Sequence, residues 1–138
     1  MITYKVGNLL YSNGNIAHCV SKDLRMSAGV ARQMRTRFGG LREMLNSRRV
    51  VGDIVVIRRG HRHIIGLITK KHFWNKPSYH DIRRSLRCLR NYMLSSNQHS
   101  ISLPRIGCGL DGKNWNVVEN IINSIFDNNF DITVYSLP

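Results

Sequence analysis

Short apolar runs alternate with helical stripes along this chain. Ile2–Val6, Ile16–Val20, Ile54–Ile57, His63–Thr69, Ser100–Leu103 and Ile132–Tyr135 read as strands. Between several of them apolar residues recur at spacings of three and four. Val30, Met34 and Phe38 form one stripe, with Gly39-Gly40 as its stop. Leu41, Met44 and Leu45 suggest a short turn of helix after it. Tyr79, Ile82, Leu86, Leu89 and Met93 form a longer stripe, which Ser78 and Asp81 open as a capping box. Trp115, Val118, Ile121, Ile122 and Ile125 mark a last helix, from about Trp115 to Phe126. Strands alternating with helices predict an α/β three-layer domain with a central mixed, mostly parallel sheet flanked by helices. With no repeat or linker, the 138 residues read as one domain, 1–138.

Such sheets bind ligands at the carboxyl ends of their strands. Residues just after strands therefore carry the candidate chemistry. Pro-Arg-Ile-Gly-Cys-Gly-Leu-Asp, residues 104–111, lies between a strand and a helix. Gly107 and Gly109 would let backbone N–H groups approach a phosphate, with Asp111 at the rim of that pocket. Ser21 to Gly29 follows another strand and opens the Val30 helix. Ser27, Ala28 and Gly29 are small enough for a ligand to lie against the backbone, although Ser27 also fits an ordinary helix cap. Lys70 and Lys71 end a third strand. Alternation sends them to opposite faces, so at most one amine is available to a cleft as a nucleophile. His18 and Cys19 are neighbours on a strand and face oppositely, which argues against a nucleophile–base pair. His61 and His63 have no third ligand at metal-like spacing. His72-Phe73-Trp74 with Lys76 reads either as a ring-stacking loop or as a cover for the core.

Composition sharpens this picture. Lysine plus arginine number 21 against 8 acidic residues, a net charge of +13. A polyanionic partner or substrate follows, and Arg83, Arg87 and Arg90 on the long helix form one basic stripe. Three scattered cysteines argue for reduced thiols, and no signal-peptide or membrane-span pattern is present. An intracellular protein of the nucleus or cytoplasm is expected. Paired catalytic carboxylates, a Walker A loop and a Gly-x-Ser-x-Gly elbow are absent.

Ile2-Thr-Tyr-Lys-Val-Gly-Asn-Leu, Ala17-His-Cys-Val-Ser, Arg25-Met-Ser-Ala-Gly29, Arg37-Phe-Gly-Gly-Leu41 and Leu67-Ile-Thr-Lys-Lys71 occur in order. Lys76-Pro-Ser-Tyr79, the 104–111 segment and Thr133-Val-Tyr135 complete the set. Together they resemble a macrodomain of the terminal ADP-ribose protein glycohydrolase type, over nearly the whole chain. The resemblance implies an ADP-ribosyl hydrolase acting on ADP-ribose esterified to protein glutamate or aspartate, and on acyl-ADP-riboses. It implies Lys70 as the nucleophile on the distal ribose and Asp111 as the acid/base partner. Arg105, Ile106, Gly107, Cys108, Gly109 and Leu110 would hold distal ribose and diphosphate. Ser21, Ser27, Ala28 and Gly29 would line the ligand, with Asn8, Leu9 and Tyr135 to Leu137 at the adenosine end. Asn8 stands where many macrodomains have Asp, and Ser27 where the family favours Gly. No metal or cofactor is implied, and a monomer is expected. Two other readings stand beside it: a binding-only ADP-ribose reader, and a basic module for RNA or poly(ADP-ribose).

Overall fold

The strands that read as unbroken apolar runs are those buried on both faces. In a computed structural model describing residues 2–26 and 29–138, these residues form six strands and four helices. Strands β1 (Ile2–Val6), β2 (Ile16–Ser21), β3 (Ile54–Arg59), β4 (Arg62–Lys70), β5 (Ser100–Leu103) and β6 (Asp131–Ser136) make one sheet. Its order is β1-β6-β5-β2-β4-β3. Every pairing is parallel except that of β3 with β4. This is the mixed, mostly parallel sheet expected from the alternation of elements.

Helices cover both faces. On one side α3 (Tyr79–Ser95) and α4 (Trp115–Ile125) bury Ile82, Leu86, Leu89, Val118 and Ile122 against Ile65, Leu67 and Leu103. On the other, α1 (Gly29–Phe38) and α2 (Leu41–Asn46) bury Met34 and Met44 against Val20, Val55, Ile57, Ile64 and Ile68. Strand β4 is therefore apolar on alternate faces in turn, which gives a continuous run rather than period two. Gly66 sits at its tightest point, where an added Cβ would come within 2.8 Å of Val55. Ser78 caps α3 by accepting the Asp81 N–H, as its sequence position predicted. Val30, by contrast, is partly exposed, so the α1 stripe is anchored by Met34. A 3₁₀ turn at Leu9–Tyr11 was not anticipated, because three residues give no readable period.

The topology brings the carboxyl ends of β2, β4, β5 and β6 to one edge. Among the described residues, no helix is long and apolar enough to cross a membrane.

Candidate active site

Lys70 owes its position to an irregularity in the sheet. Val20 pairs with Ile68, but the next residue, Ser21, pairs with Lys70, so Thr69 has no partner on β2. An extra residue in one strand re-aims the side chains after it. Lys70 thereby enters the cleft, while Lys71 lies exposed beyond the strand. The Lys22 N–H donates to the Lys70 carbonyl at 2.8 Å and fixes the strand end.

Asp111 arrives from the loop after β5. That loop is folded on itself by turns: the Cys108 N–H donates to Arg105, Gly112 to Gly109, and Lys113 to Gly107 at 2.7 Å. Ile106 is buried in the core and anchors it. Gly107 and Gly112 have φ of 75° and 69°, which side-chain-bearing residues rarely adopt. Lys70 Nζ donates to Asp111 Oδ1 at 2.6 Å, with side-chain exposures of 15% and 13%. The two residues are 41 positions apart. An ammonium and a carboxylate in contact, largely shielded from water, can pass a proton between them, and the amine left by that transfer has a free lone pair.

A Cβ at Gly107 would approach Ile82 at 3.2 Å and Lys113 at 3.5 Å, so the loop itself leaves little room for a side chain there. At Gly109 a Cβ would meet nothing within 4 Å. Gly107→Val is thus expected to strain the loop that carries Asp111. Thermal melting should fall and ADP-ribose affinity should weaken together; an unchanged affinity by calorimetry in a folded variant would contradict this.

The cleft encloses about 690 Å³, ample for a nucleotide-sized ligand. Ser21, Gly29, Arg105 to Asp111, Lys70, Tyr135 and Leu137 all line it. Ser27 and Ala28 lie outside the described residues. Asn8 and Leu9 are not among its lining residues. Asn8 caps the 3₁₀ turn, its Oδ1 accepting the Leu10 N–H at 3.0 Å, and Leu9 is buried with the α1–α2 core. Phe73, Trp74 and Lys76 do line the cleft, so the loop after β4 forms a rim rather than a core cover. Trp74 stacks on His72 with ring centres 4.4 Å apart, and Lys76 donates to the Leu110 carbonyl across the opening. Exposed aromatics next to a strand end were the available signal for this rim.

Asp23 knits the two loops together. Its carboxylate accepts from the Ser21 hydroxyl at 2.5 Å and from the Phe73 N–H at 2.9 Å. Burial pushes this carboxyl up, but its hydrogen bonds with Ser21, Phe73 and Arg25 outweigh that and hold it below its usual range. Cys19 also lines the cleft. Burial, and secondarily the Asp111 charge, push its thiol up to about 12, so it is not a nucleophile at neutral pH. Among the described residues, no three His, Cys, Asp or Glu side chains gather to hold a metal ion.

No family profile matches the chain. Individual proteins do. ADP-ribose glycohydrolase OARD1 of Homo sapiens is 40% identical over 139 residues, covering 99% of this chain and 91% of that protein. The Bos taurus protein of the same name matches equally. The macrodomain of Mycobacterium tuberculosis DarG superposes with a TM-score of 0.89 at 26% identity, covering 98% and 97% of the two chains. This chain is a macrodomain. Its named relatives are hydrolases that remove ADP-ribose. In this macrodomain the elements that carry Lys70 and Asp111 are those of the shared fold. A Thermosipho africanus DarTG structure in complex with ADP-ribose has that same fold, with a TM-score of 0.82 at 18% identity.

Proposed function

We propose that this macrodomain hydrolyses the bond between ADP-ribose and a protein glutamate or aspartate, and deacylates acyl-ADP-riboses. The observation that carries this reading is the Lys70–Asp111 pair at 2.6 Å inside a nucleotide-sized cleft. A reader that only held ADP-ribose would not require an amine and a carboxylate in contact there.

In the proposed reaction Lys70 Nζ attacks C1″ of the distal ribose. The Lys70 N–C1″ bond forms as the C1″–O bond breaks, and the electron pair leaves with the protein carboxylate. Asp111 first takes a proton from the Lys70 ammonium, which frees the attacking lone pair, and then passes that proton to the departing carboxylate. Water then adds at C1″ as the C1″–N bond breaks and its electron pair returns to Lys70; Asp111, ionised again, takes a proton from the water and hands it to the Lys70 amine as ADP-ribose leaves. The amides of the 107–110 turn and the amino end of α1 suit the diphosphate. Arg105 and the net positive charge assist its capture. All of these parts come from one chain, consistent with action as a monomer. The direct test is release of ADP-ribose from a glutamate-linked mono-ADP-ribosylated protein, run beside O-acetyl-ADP-ribose.

Asn8 supplies a second test. Asn8 caps the 3₁₀ turn through its oxygen and does not itself line the cleft, whereas a carboxylate there has a second oxygen to turn towards an adenine amino group. Asn8→Asp should tighten ADP-ribose binding by roughly 1 kcal/mol, the net worth of one added hydrogen bond. An inosine analogue should gain nothing. Equal gains for both would show that residue 8 does not read adenine.

A further inference from the structure

Positive charge is unevenly distributed over this fold. Nine arginines fall between Arg32 and Arg62, with Glu43 and Asp53 the only carboxylates in that span. Residues 114–138 contain no lysine or arginine, but three acids. The sheet order separates the two spans. The first builds α1, α2 and the edge strand β3; the second builds α4 and β6 towards the opposite edge.

The arginines wrap the β3 edge on both faces. Arg59 lies on the α1–α2 side, donating to the Phe38 carbonyl and to Glu43. Arg58 points the other way, where its charge acts on His63 and Tyr92. Arg49 acts with Arg84 of α3 on the Cys88 thiol. Arg42, Arg49 and Arg58 are exposed, and none of them has an ion-pair partner among the described residues. Gathering like charges costs self-repulsion. Arg62 registers it: burial first, then the Arg37 charge, push its guanidinium below its usual value.

We propose that this belt of arginines around β3 binds duplex nucleic acid through its phosphates. A guanidinium pairs bidentately with a phosphate, and charges spread over two helices, a strand and a loop call for a repeating anion. A single strand is held by successive aromatic platforms. Tyr11 beside α1 is strongly exposed, but Phe38 is already covered by Arg37 and Arg62, and the exposed Phe73 and Trp74 belong to the cleft rim. The α3 stripe expected to carry this role is a poorer surface, because Arg90 packs over Phe130 and only Arg87 of the three is exposed. The α4–β6 span, with three acids and no lysine or arginine, lies towards the other edge and would turn away from the polyanion. None of Arg42, Arg49 and Arg58 lines the cleft, so this surface does not rest on the hydrolase reading.

The test is fluorescence anisotropy with a short labelled RNA duplex across a salt series. It compares the wild-type chain with the combined Arg42→Gln, Arg49→Gln and Arg58→Gln variant. Wild-type affinity should fall steeply with salt as counterions are released. The triple variant should bind at least about tenfold more weakly, with a log–log salt slope shallower by about 3, one for each lost phosphate contact. Arg87→Gln should change neither, and hydrolysis of a small ADP-ribose ester should be unaffected in both variants. No duplex binding at low salt would overturn the proposal, as would an unchanged slope in the triple variant. So would tighter binding to single strands, poly(ADP-ribose) or anionic vesicles than to the duplex.

Discussion

Lys70→Ala should lose at least about 100-fold in the rate of ADP-ribose release, the lower range for removing a catalytic group. Lys71→Ala should stay near wild type. The contrast follows from the strand end: Lys70 reaches Asp111 at 2.6 Å inside the cleft, while Lys71 is exposed outside it. ADP-ribose affinity should survive in Lys70→Ala, since the turn amides around Gly107 to Leu110 remain. Loss of kcat with retained binding separates a missing nucleophile from a damaged fold. Borohydride added during turnover should reduce the covalent intermediate and leave ADP-ribose on Lys70, located by peptide mass. An adduct on Lys71, or full activity of Lys70→Ala, would overturn the assignment. Asp111→Ala should lose activity as well, because it leaves the Lys70 ammonium without its proton acceptor.

Acid should unfold this macrodomain earlier than its carboxylates alone would dictate. His18 is fully buried on β2, and among the described residues neither of its ring nitrogens has a side-chain or backbone partner at hydrogen-bonding geometry. Burial pushes the imidazole down to about 4, and the nearby Cys19 backbone offsets only a little of this. The unfolded imidazole titrates near 6.5. Between those values the unfolded state binds the proton and the folded state does not. Stability is therefore full above about 6.5 and declines as pH falls towards 4. The loss reaches about 3 kcal/mol, the free-energy equivalent of such a shift. Urea unfolding at neutral pH and near pH 4.5 should reveal it. His18→Leu, of similar volume and without a titrating group, should remove most of that decline. A wild-type decline no steeper than the variant's would show that His18 is not the group responsible.

The sequence alone determined the strands and most helices, because their apolar periods are local. The apolar run at His63–Thr69 announced a strand, and the Tyr79–Met93 stripe announced α3 nearly to its ends. The order of strand and helix was enough for a mixed α/β sheet, and strand-end positions pointed to Gly107, Asp111 and one of Lys70 and Lys71, of which the family resemblance selected Lys70. Tertiary structure decided the rest. The meeting of Lys70 with Asp111 depends on β4 and β5 ending at one edge and on the unpaired Thr69, and a register shift leaves no mark in a period-two pattern. That a side chain at Gly107 would press on Ile82 was not legible either, since Ile82 comes from another element. Asn8 proved to cap a turn too short to show a period. The charge total was legible at once, but its concentration around β3 was not, since edge position comes from pairing order and not from order along the chain. Local patterns fix which segments can be strands or helices; only packing fixes which side chains from distant segments share one cleft or one edge.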